Sequence, residues 1–377
     1  MRIGFVGDLM LGGLFLDYAR AAQLDLLHPF TLVDPLFRDL DLVVVNLEGP
    51  LFGGTDRRLG RDVILANHEA VVEWLGRLNR CVCVLGNNHI LDYGTEALQR
   101  TIRLLRARNI AVVGAGIDAA TAANPTLVQV GERSVCSFSY TSDEPHVGGV
   151  IATRDGPGCV PWRDRDRALA EVTKASQAGC LVIVSVHWGY EFHHYPAPEQ
   201  VAFAHDLVKA GAKIVTGHHA HLVQGIEEIS GGLVAYSLGH FFVPPFRDVS
   251  GRLRLPKPAS REFGLLECDI AASGSLRWQV RGGYLRPDYL LETYAGTEQR
   301  RFEERVKQLS APLAAEDYAR FWRNYFARRQ RQLEWERVRG KLSAWLVRPE
   351  RKWMFPTARI PAGIVQGASK TSEARTV

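Results

Sequence analysis

Residues Thr216 to His221 read TGHHAH, which places three of the chain's twelve histidines within four positions. They directly follow AKIV, a short and mostly apolar run. Histidine is the commonest metal ligand in proteins and the side chain that exchanges protons near neutral pH. The cluster therefore indicates a metal site or proton transfer at the end of a strand. Exposed loops also collect histidines, so the hexapeptide alone does not distinguish a site from a solvated turn.

Other polar side chains follow apolar runs elsewhere in the chain. They are Asp8 in GFVGDLML, Glu48 in VVVNLEGP, Asn88 and His89 in VLGNNHILDYG, and His187 in VSVHWGYE. Short β-branched runs alternate with amphipathic segments of helical length, such as GTEALQRTIRLLRARN, and this alternation predicts an α/β fold. Ligands of open α/β sheets gather beyond the carboxyl ends of the strands, so we expect these residues to share one site.

The residue types suit divalent cations. Two neighbouring cations need a bridging carboxylate and terminal oxygen or nitrogen ligands that leave positions open for water and substrate. Asp8 and Glu48 offer carboxylates, and Asn88 offers an amide oxygen. His219 and His221 lie one residue apart, so an extended backbone would turn both rings the same way. Taken singly, each residue has a structural alternative as a cap, a turn or a solvated loop residue.

Six motifs, GDLML, NLEGP, GNNHILDYG, VHWGYE, GHHAH and YSLGHF, occur in this order. Together they resemble the bacterial capsule-synthesis, or poly-γ-glutamate-synthesis, family (CapA type), a branch of the calcineurin-like metallophosphoesterases, over about residues 2 to 245. The resemblance implies a four-layer α-β-β-α sandwich, which we assign to residues 1–297. It also implies one or two divalent ions, with Mn, Zn, Mg, Ca and Fe all open.

The same resemblance implies roles for individual residues. The expected metal ligands are Asp8, Glu48, Asn88, His187, His219 and His221. His89 corresponds to the acid that assists the leaving group, and Asp92 could hold its ring in the useful tautomer. His219 is preferred to His218 because it preserves the H-x-H spacing of the family's GHxH pattern. Asn46, Glu191 and His218 are assigned to substrate binding.

Three departures from the family pattern limit this transfer. The superfamily's D-x-H motif is replaced by Asp8 followed by LML, so one ligand is absent or replaced. YSLGHF places His240 where the family has asparagine. This histidine either bonds a neighbouring loop or acts as a general acid or base with Asp8 or His89. His193 and His194 match no family residue and are assigned to substrate contact or to a solvated loop.

The basic residues are concentrated near the C-terminus. Residues 298–352 contain 15 Lys and Arg against 8 Asp and Glu, while the whole chain has a net charge of +5. The pattern predicts a basic helical extension over 298–355 and a disordered tail over 356–377. The aromatic face of the extension, including Phe321 and Trp322, either packs on the catalytic domain or leaves the arginines to bind an acidic partner or a membrane surface. Nucleic acid is not expected, because no known nucleic-acid module is recognised.

The sequence gives no sign of secretion or of a membrane span. The N-terminal apolar run is too short for a signal peptide, and no run approaches roughly 18 apolar residues. The six cysteines form no C-x-x-C pair, so we expect a cytoplasmic protein without disulfides. The sequence does not predict an oligomeric state.

Three functions stay open. The favoured one is hydrolysis or transfer on a phosphoester or γ-glutamyl peptide through metal-bound hydroxide, with His89 assisting. The second is a metal-dependent peptide epimerase in natural-product maturation, in which Asp8 and His240 exchange a Cα proton. The third is a non-catalytic accessory subunit of a capsule or polyglutamate synthase.

Overall fold

The computed structural model describes residues 1–51 and 57–346. Within these ranges the strands are β1 (Arg2–Leu9), β2 (Leu42–Leu47), β3 (Cys81–Val84), β4 (Ala111–Val113), β5 (Ala115–Gly116), β6 (Thr126–Val130), β7 (Arg133–Thr141), β8 (Gly158–Cys159), β9 (Leu181–His187), β10 (Ala212–His218), β11 (Ile226–Ile229), β12 (Gly232–Ala235), β13 (His240–Phe242), β14 (Phe246–Arg247), β15 (Leu253–Arg254), β16 (Glu262–Ile270), β17 (Leu276–Leu285) and β18 (Leu291–Thr293). The α-helices are α1 (Leu14–Ala22), α2 (Asp34–Phe37), α3 (Ala70–Arg77), α4 (Gly94–Ala107), α5 (Ala119–Ala123), α6 (Arg165–Gln177), α7 (Pro198–Lys209), α8 (Gly296–Ser310) and α9 (Tyr318–Leu346). The predicted tail, 356–377, and the last part of the predicted extension, 347–355, lie outside the described residues.

Two large sheets form the centre of the fold. One has the strand order β18-β17-β16-β1-β2-β3-β4, with β13 also paired to β1. In it, β1 to β4 run parallel, while β16 runs antiparallel to β1. The other sheet has the order β11-β12-β10-β9-β7-β6, and its four central strands run parallel. The parallel strands of each sheet therefore end at a common edge.

Alternation along the strands builds the layers. On β2, Val44 faces a core that also contains Ile183 and Ile214 of the other sheet, whereas Val43 and Val45 face a second core. That second core contains residues of α1 to α4. The opposite face of the other sheet packs on α6 and α7. Because both faces of each sheet are covered, the central strands β1, β2, β9 and β10 are buried along nearly their whole length. The predicted four-layer α-β-β-α sandwich is therefore confirmed.

The C-terminal helices do not separate from this body at residue 297. Phe302 and Val306 of α8 enter the core between the sheets, and Tyr318 of α9 donates a hydrogen bond to the Pro196 carbonyl at 2.7 Å. One compact unit runs from Met1 to Arg323 and a second begins at Asn324. In the second unit α9 continues to Leu346. The basic extension is thus helical in its described part, and its first helix belongs to the sandwich.

Across the ranges that the structure describes, none of the helices is both long enough and apolar enough to cross a bilayer.

Candidate metal centre

The predicted site residues meet where the parallel strands of both sheets end. Asp8 on β1 lies opposite Asn46 on β2 and opposite His240 on β13. His187 ends β9 and lies opposite His218, which ends β10. The two sheets are in contact at this edge, where the His218 Nδ1 atom lies 3.3 Å from Asp8 Oδ1.

Asp8 lies at the centre of this group. Its Oδ1 accepts a hydrogen bond from the Asn46 side-chain amide at 2.8 Å, and its Oδ2 lies 3.2 Å from His221 Nδ1. Burial alone would raise the pKa of Asp8, but the adjacent His218 and His221 outweigh burial and hold that pKa well below its usual value. Asp8 is therefore a carboxylate near neutral pH.

His221 carries the complementary charge. Burial opposes its protonation, but Asp8 together with Glu48 and Glu191 raises the pKa of His221 to about 9. Its Nε2 atom lies 3.8 Å from Glu191 Oε1, and its ring centroid lies 4.4 Å from that of His240. Burial, reinforced by His221, lowers the pKa of His240 to about 3, so the second ring is neutral.

Glu48, His187 and Asn88 lie next to this pair. Glu48 Oε1 is 4.0 Å from His187 Nε2, and burial next to Asp8 raises the pKa of Glu48 to about 8. His187 Nε2 lies 3.0 Å from Asn88 Oδ1, and the Asn88 amide nitrogen donates to the Val147 carbonyl at 2.9 Å. This second bond turns the oxygen of Asn88 toward the site. Burial holds the pKa of His187 well below its usual value, which keeps this ring neutral too.

His89 and Asp92 form a pair at the side of the site. The His89 Nδ1 atom lies 2.5 Å from Asp92 Oδ2, which also accepts from the Leu65 backbone N–H at 2.8 Å. Asn87, which the sequence analysis did not select, accepts from the His89 backbone N–H at 3.2 Å and donates to the Leu47 carbonyl at 2.8 Å. Its only sequence signal is the doubled asparagine of GNNH. His89 Nε2 is left facing Glu48 at 3.9 Å.

The prediction that His219 and His221 lie on an extended backbone is wrong. β10 ends at His218, and both residues have left-handed backbones, with φ of 82° and 57°. This region is unfavourable for side chains other than glycine, and such residues concentrate at functional sites. The turn still brings the rings to 5.6 Å between centroids. His218, by contrast, contacts Asp8 directly.

The buried polar atoms of the site fit a cation. Several of them have no hydrogen-bond partner in the described structure: both Glu48 carboxyl oxygens, His187 Nδ1, His218 Nε2 and both ring nitrogens of His219. His240 has no partner of normal geometry either, its one backbone contact being with Ser260. A buried polar atom without a partner costs about 1–3 kcal/mol. A cluster of such atoms therefore indicates that the site binds a ligand such as a cation. In each of two groups of residues, the ligand atoms all lie within 4.8 Å of one another. One group is Asp8, His221 and His240, and the other is Glu191, His219 and His221. Mixed imidazole and carboxylate ligands suit Zn, Fe or Mn better than all-oxygen ions such as Mg and Ca.

A cavity of about 390 Å³ opens beside these groups. Among its lining residues are Glu48, His89, Glu191, His221 and His240. Its walls are apolar at Leu65, Val243 and Phe246 and cationic at Arg61, Arg252, Arg254 and Lys257. The sequence analysis missed the cationic wall, although RLRLPK at 252–257 signals it. His193 and His194 do not line the cavity, and His193 is buried with its Nδ1 atom 2.9 Å from the Glu191 carbonyl.

The four-layer α-β-β-α sandwich, with carboxylate, amide and imidazole groups where its parallel strands end, has a metallophosphoesterase-like fold. More narrowly, the chain belongs to the bacterial capsule synthesis protein family PGA_cap, whose model matches residues 2–244.

Individual relatives agree with this membership. The chain is similar to the capsule biosynthesis protein CapA of Bacillus anthracis, with 30% identity over 248 residues, which cover 64% of this chain and 59% of that protein. It is also similar to a probable polyglutamine synthesis accessory protein of Mycobacterium tuberculosis, with 36% identity over 207 residues, 53% of this chain and 54% of the relative. The chain thus spans a little over half the length of these two relatives. Among solved structures, it is similar to the NAD nucleotidase of Haemophilus influenzae, with 13% identity, 88% of this chain and 67% of that chain covered, and a TM-score of 0.40.

Proposed function

We propose that the protein is a metal-dependent enzyme that hydrolyses, or transfers a group from, an anionic phosphoester or γ-glutamyl peptide. One observation carries this proposal: buried carboxylate and imidazole atoms without hydrogen-bond partners of normal geometry cluster where the strands end, and Glu48 and His240 of this cluster line a cavity. The residues that would hold one or two divalent ions are Asp8, Glu48, Asn88, His187, His219 and His221.

The chemistry divides between the ion and the chain. A bound divalent ion supplies Lewis-acid polarisation and lowers the pKa of water. The chain supplies His89, whose Nε2 atom would give a proton to the leaving group. Asp92 Oδ2 accepts from Nδ1–H of the same ring and fixes its orientation. The apolar wall around Leu65 and Val243 limits the entry of bulk water.

The cationic wall supports an anionic substrate. Arg254 is already engaged, because its Nε atom donates to Asp248 at 2.7 Å, and Lys257 Nζ lies 4.5 Å from the centre of the Phe192 ring. Among the described residues, the exposed guanidinium of Arg252 has no hydrogen bond or ion pair. Arg252 is therefore available to a phosphate or carboxylate of the substrate, which it can bind with two parallel hydrogen bonds.

The variant Arg252→Ala is expected to raise KM for an anionic substrate by about tenfold with little change in kcat. A charge-assisted hydrogen bond is worth about 1.5–3 kcal/mol when formed, and solvent exposure keeps the effect at the lower end. Steady-state kinetics on matched anionic and neutral substrates measure the change. Arg247→Ala is the control, since Arg247 lies on the same hairpin outside the cavity wall. An equal rise in KM for neutral substrates would contradict substrate recognition by Arg252.

The epimerase hypothesis finds no support in the position of Asp8. A two-base exchange needs two groups on opposite sides of the substrate Cα atom. Asp8 is fully buried and does not line the cavity, and both its oxygens contact Asn46 or the neighbouring histidines. It also lies beside His240 on a paired strand rather than across a space from it. We therefore do not propose epimerisation.

An accessory role is the second candidate, because the Mycobacterium tuberculosis relative carries the word accessory in its name. In that role the site would hold a metal for shape, and the protein would act within a synthase complex. The chemistry of His89 and Asp92 would then be dispensable. Variants that remove it, discussed below, distinguish the two roles.

Metal removal tests the proposed function. Chelated protein is expected to lose turnover of generic phosphodiesters or γ-glutamyl peptides and to regain it with Mn²⁺ or Zn²⁺. Binding that favours the folded state should also raise the unfolding temperature, with about 2.7 kcal/mol gained at a free metal concentration of 100 Kd. Metal analysis, calorimetric unfolding and activity are measured on the same sample. Identical unfolding and turnover with and without metal would overturn the proposal.

A further inference from the structure

His240 is a buried histidine that is neither among the proposed metal ligands nor the proposed proton donor. It begins β13 and pairs in register with Asp8. Its side chain is only 8% exposed, and neither ring nitrogen has a hydrogen-bond partner of normal geometry among the described residues. The ring has one backbone hydrogen-bond contact, with Ser260, which lies outside normal geometry. Ser260 can satisfy at most one of the two ring nitrogens, and burial of the other without a partner is unfavourable, so the ring needs a further partner that the described residues do not supply.

The ring is placed to share that partner with two other residues. The nearest ligand atoms of Asp8, His221 and His240 all lie within 4.8 Å of one another. Atoms that share an ion at about 2.1 Å lie about 3 Å apart when adjacent and about 4.2 Å apart when opposite. Adjustments of about 1–2 Å or less would therefore let all three bind one ion. Met10 packs in an apolar group with Leu65 and Val243, so the sequence position two residues after Asp8 supplies no nitrogen or oxygen ligand.

Its surroundings also distinguish His240 from His89. A histidine that transfers protons is normally oriented by a hydrogen bond on its other nitrogen. His89 has such a bond to the carboxylate of Asp92, whereas the hydrogen-bond contact of His240 among the described residues is with the uncharged backbone of Ser260. The carboxylate nearest to His240, that of Asp8, is already bonded to Asn46 and His221. His89 thus has the environment of a proton donor, and His240 has that of a ligand.

We propose that His240 is a metal ligand that completes one ion site with Asp8 and His221, rather than a general acid or base. This inference rests on the proposed metal-dependent function. Two imidazoles and one carboxylate favour a borderline ion such as Zn²⁺, Fe²⁺ or Co²⁺ over Mg²⁺ or Ca²⁺. His240 would thereby replace the ligand that Met10 does not provide.

Cobalt binding to chelated protein tests the proposal without relying on turnover. Wild type, His240→Asn, His240→Asp and the control His28→Asn are titrated with Co²⁺ alone, and heat, stoichiometry and the visible d–d spectrum are recorded. His28 lies outside the site, with its Nε2 atom 3.3 Å from the Asp288 carbonyl. We expect His240→Asn to weaken one Co²⁺ by at least tenfold and to change the spectrum. The control should match wild type, and His240→Asp should recover part of the affinity because a carboxylate also binds metal.

The outcomes separate this inference from the proposed function. Wild-type affinity, stoichiometry and spectrum in His240→Asn would overturn the ligand role while leaving metal dependence intact. Absence of Co²⁺ binding by wild type would overturn both. Unfolding of each metal-free variant is measured first. Should His240→Asn fail to fold, the comparison of wild type with His240→Asp decides, because a ligand exchange must alter the spectrum and an unchanged spectrum would overturn the proposal.

Discussion

The variant Asp8→Asn is expected to lose at least one bound ion and to lower kcat by about a thousandfold or more. Asparagine keeps the volume of the side chain and one oxygen that can accept the 2.8 Å hydrogen bond from Asn46. It removes the negative charge that balances His221 and the incoming cation. Metal catalysis is worth several kcal/mol of transition-state stabilisation, and each 1.36 kcal/mol corresponds to a tenfold change in rate. Metal content by mass spectrometry and steady-state kinetics measure the two effects.

A suitable control for this variant is Asp269→Asn. Asp269 lies in the same sheet, opposite Arg2 at the other end of β1, and its side chain is 46% exposed. Removal of its charge should leave metal content and kcat unchanged. If Asp8→Asn kept its full metal content and a kcat within threefold of wild type, the centre would have been assigned to the wrong residues. Unfolding of the variant is recorded alongside. Loss of metal with normal unfolding shows that the change acts on the metal site, because a general effect of removing a buried charge would alter unfolding as well.

The sequence predicts the strands and their ends better than it predicts the contacts between them. β2 and β9 are short β-branched runs, and their burial on both faces follows from their continuous apolar character. That Asp8 and Asn46 would lie side by side follows from the parallel pairing of β1 and β2. The contact of Asp8 with His218 joins the two sheets through residues that are far apart in sequence. Periodicity holds no information about such a contact, and only the packing of one sheet on the other creates it.

The parts of the site built on irregular backbone could not be predicted in this way. His219 and His221 were expected on an extended strand, but left-handed residues after β10 position their rings. The hairpin of β14 and β15 supplies the cationic wall, and Asp248 organises it by accepting from the Arg252 backbone N–H at 2.9 Å and from Arg254 Nε at 2.7 Å. Such turns depend on local hydrogen bonds that a hydropathy pattern does not report. They are also the parts of a fold that commonly carry specificity.

Replacing His89 with alanine is expected to lower kcat by about 10²–10⁴-fold while metal content stays unchanged. General acid catalysis contributes about that factor, and His89 contacts Asp92 and faces Glu48 at 3.9 Å without being part of either group of converging ligand atoms. The loss should depend on the leaving group. An ester whose leaving group needs no proton should lose little activity, whereas an alkyl ester or an amide should lose nearly all of it.

Asp92→Asn completes the test, because it keeps His89 and removes only the charge that holds its Nδ1–H. Its loss should be smaller than that of His89→Ala and should show the same dependence on the leaving group. The double variant should then be no worse than His89→Ala, since Asp92 acts through that ring. His68→Ala serves as the control, because His68 lies outside the cavity beside the centre. Full function of the polymer-forming system with both variants would instead favour the accessory role, because no accessory contact requires a proton donor oriented toward a buried centre.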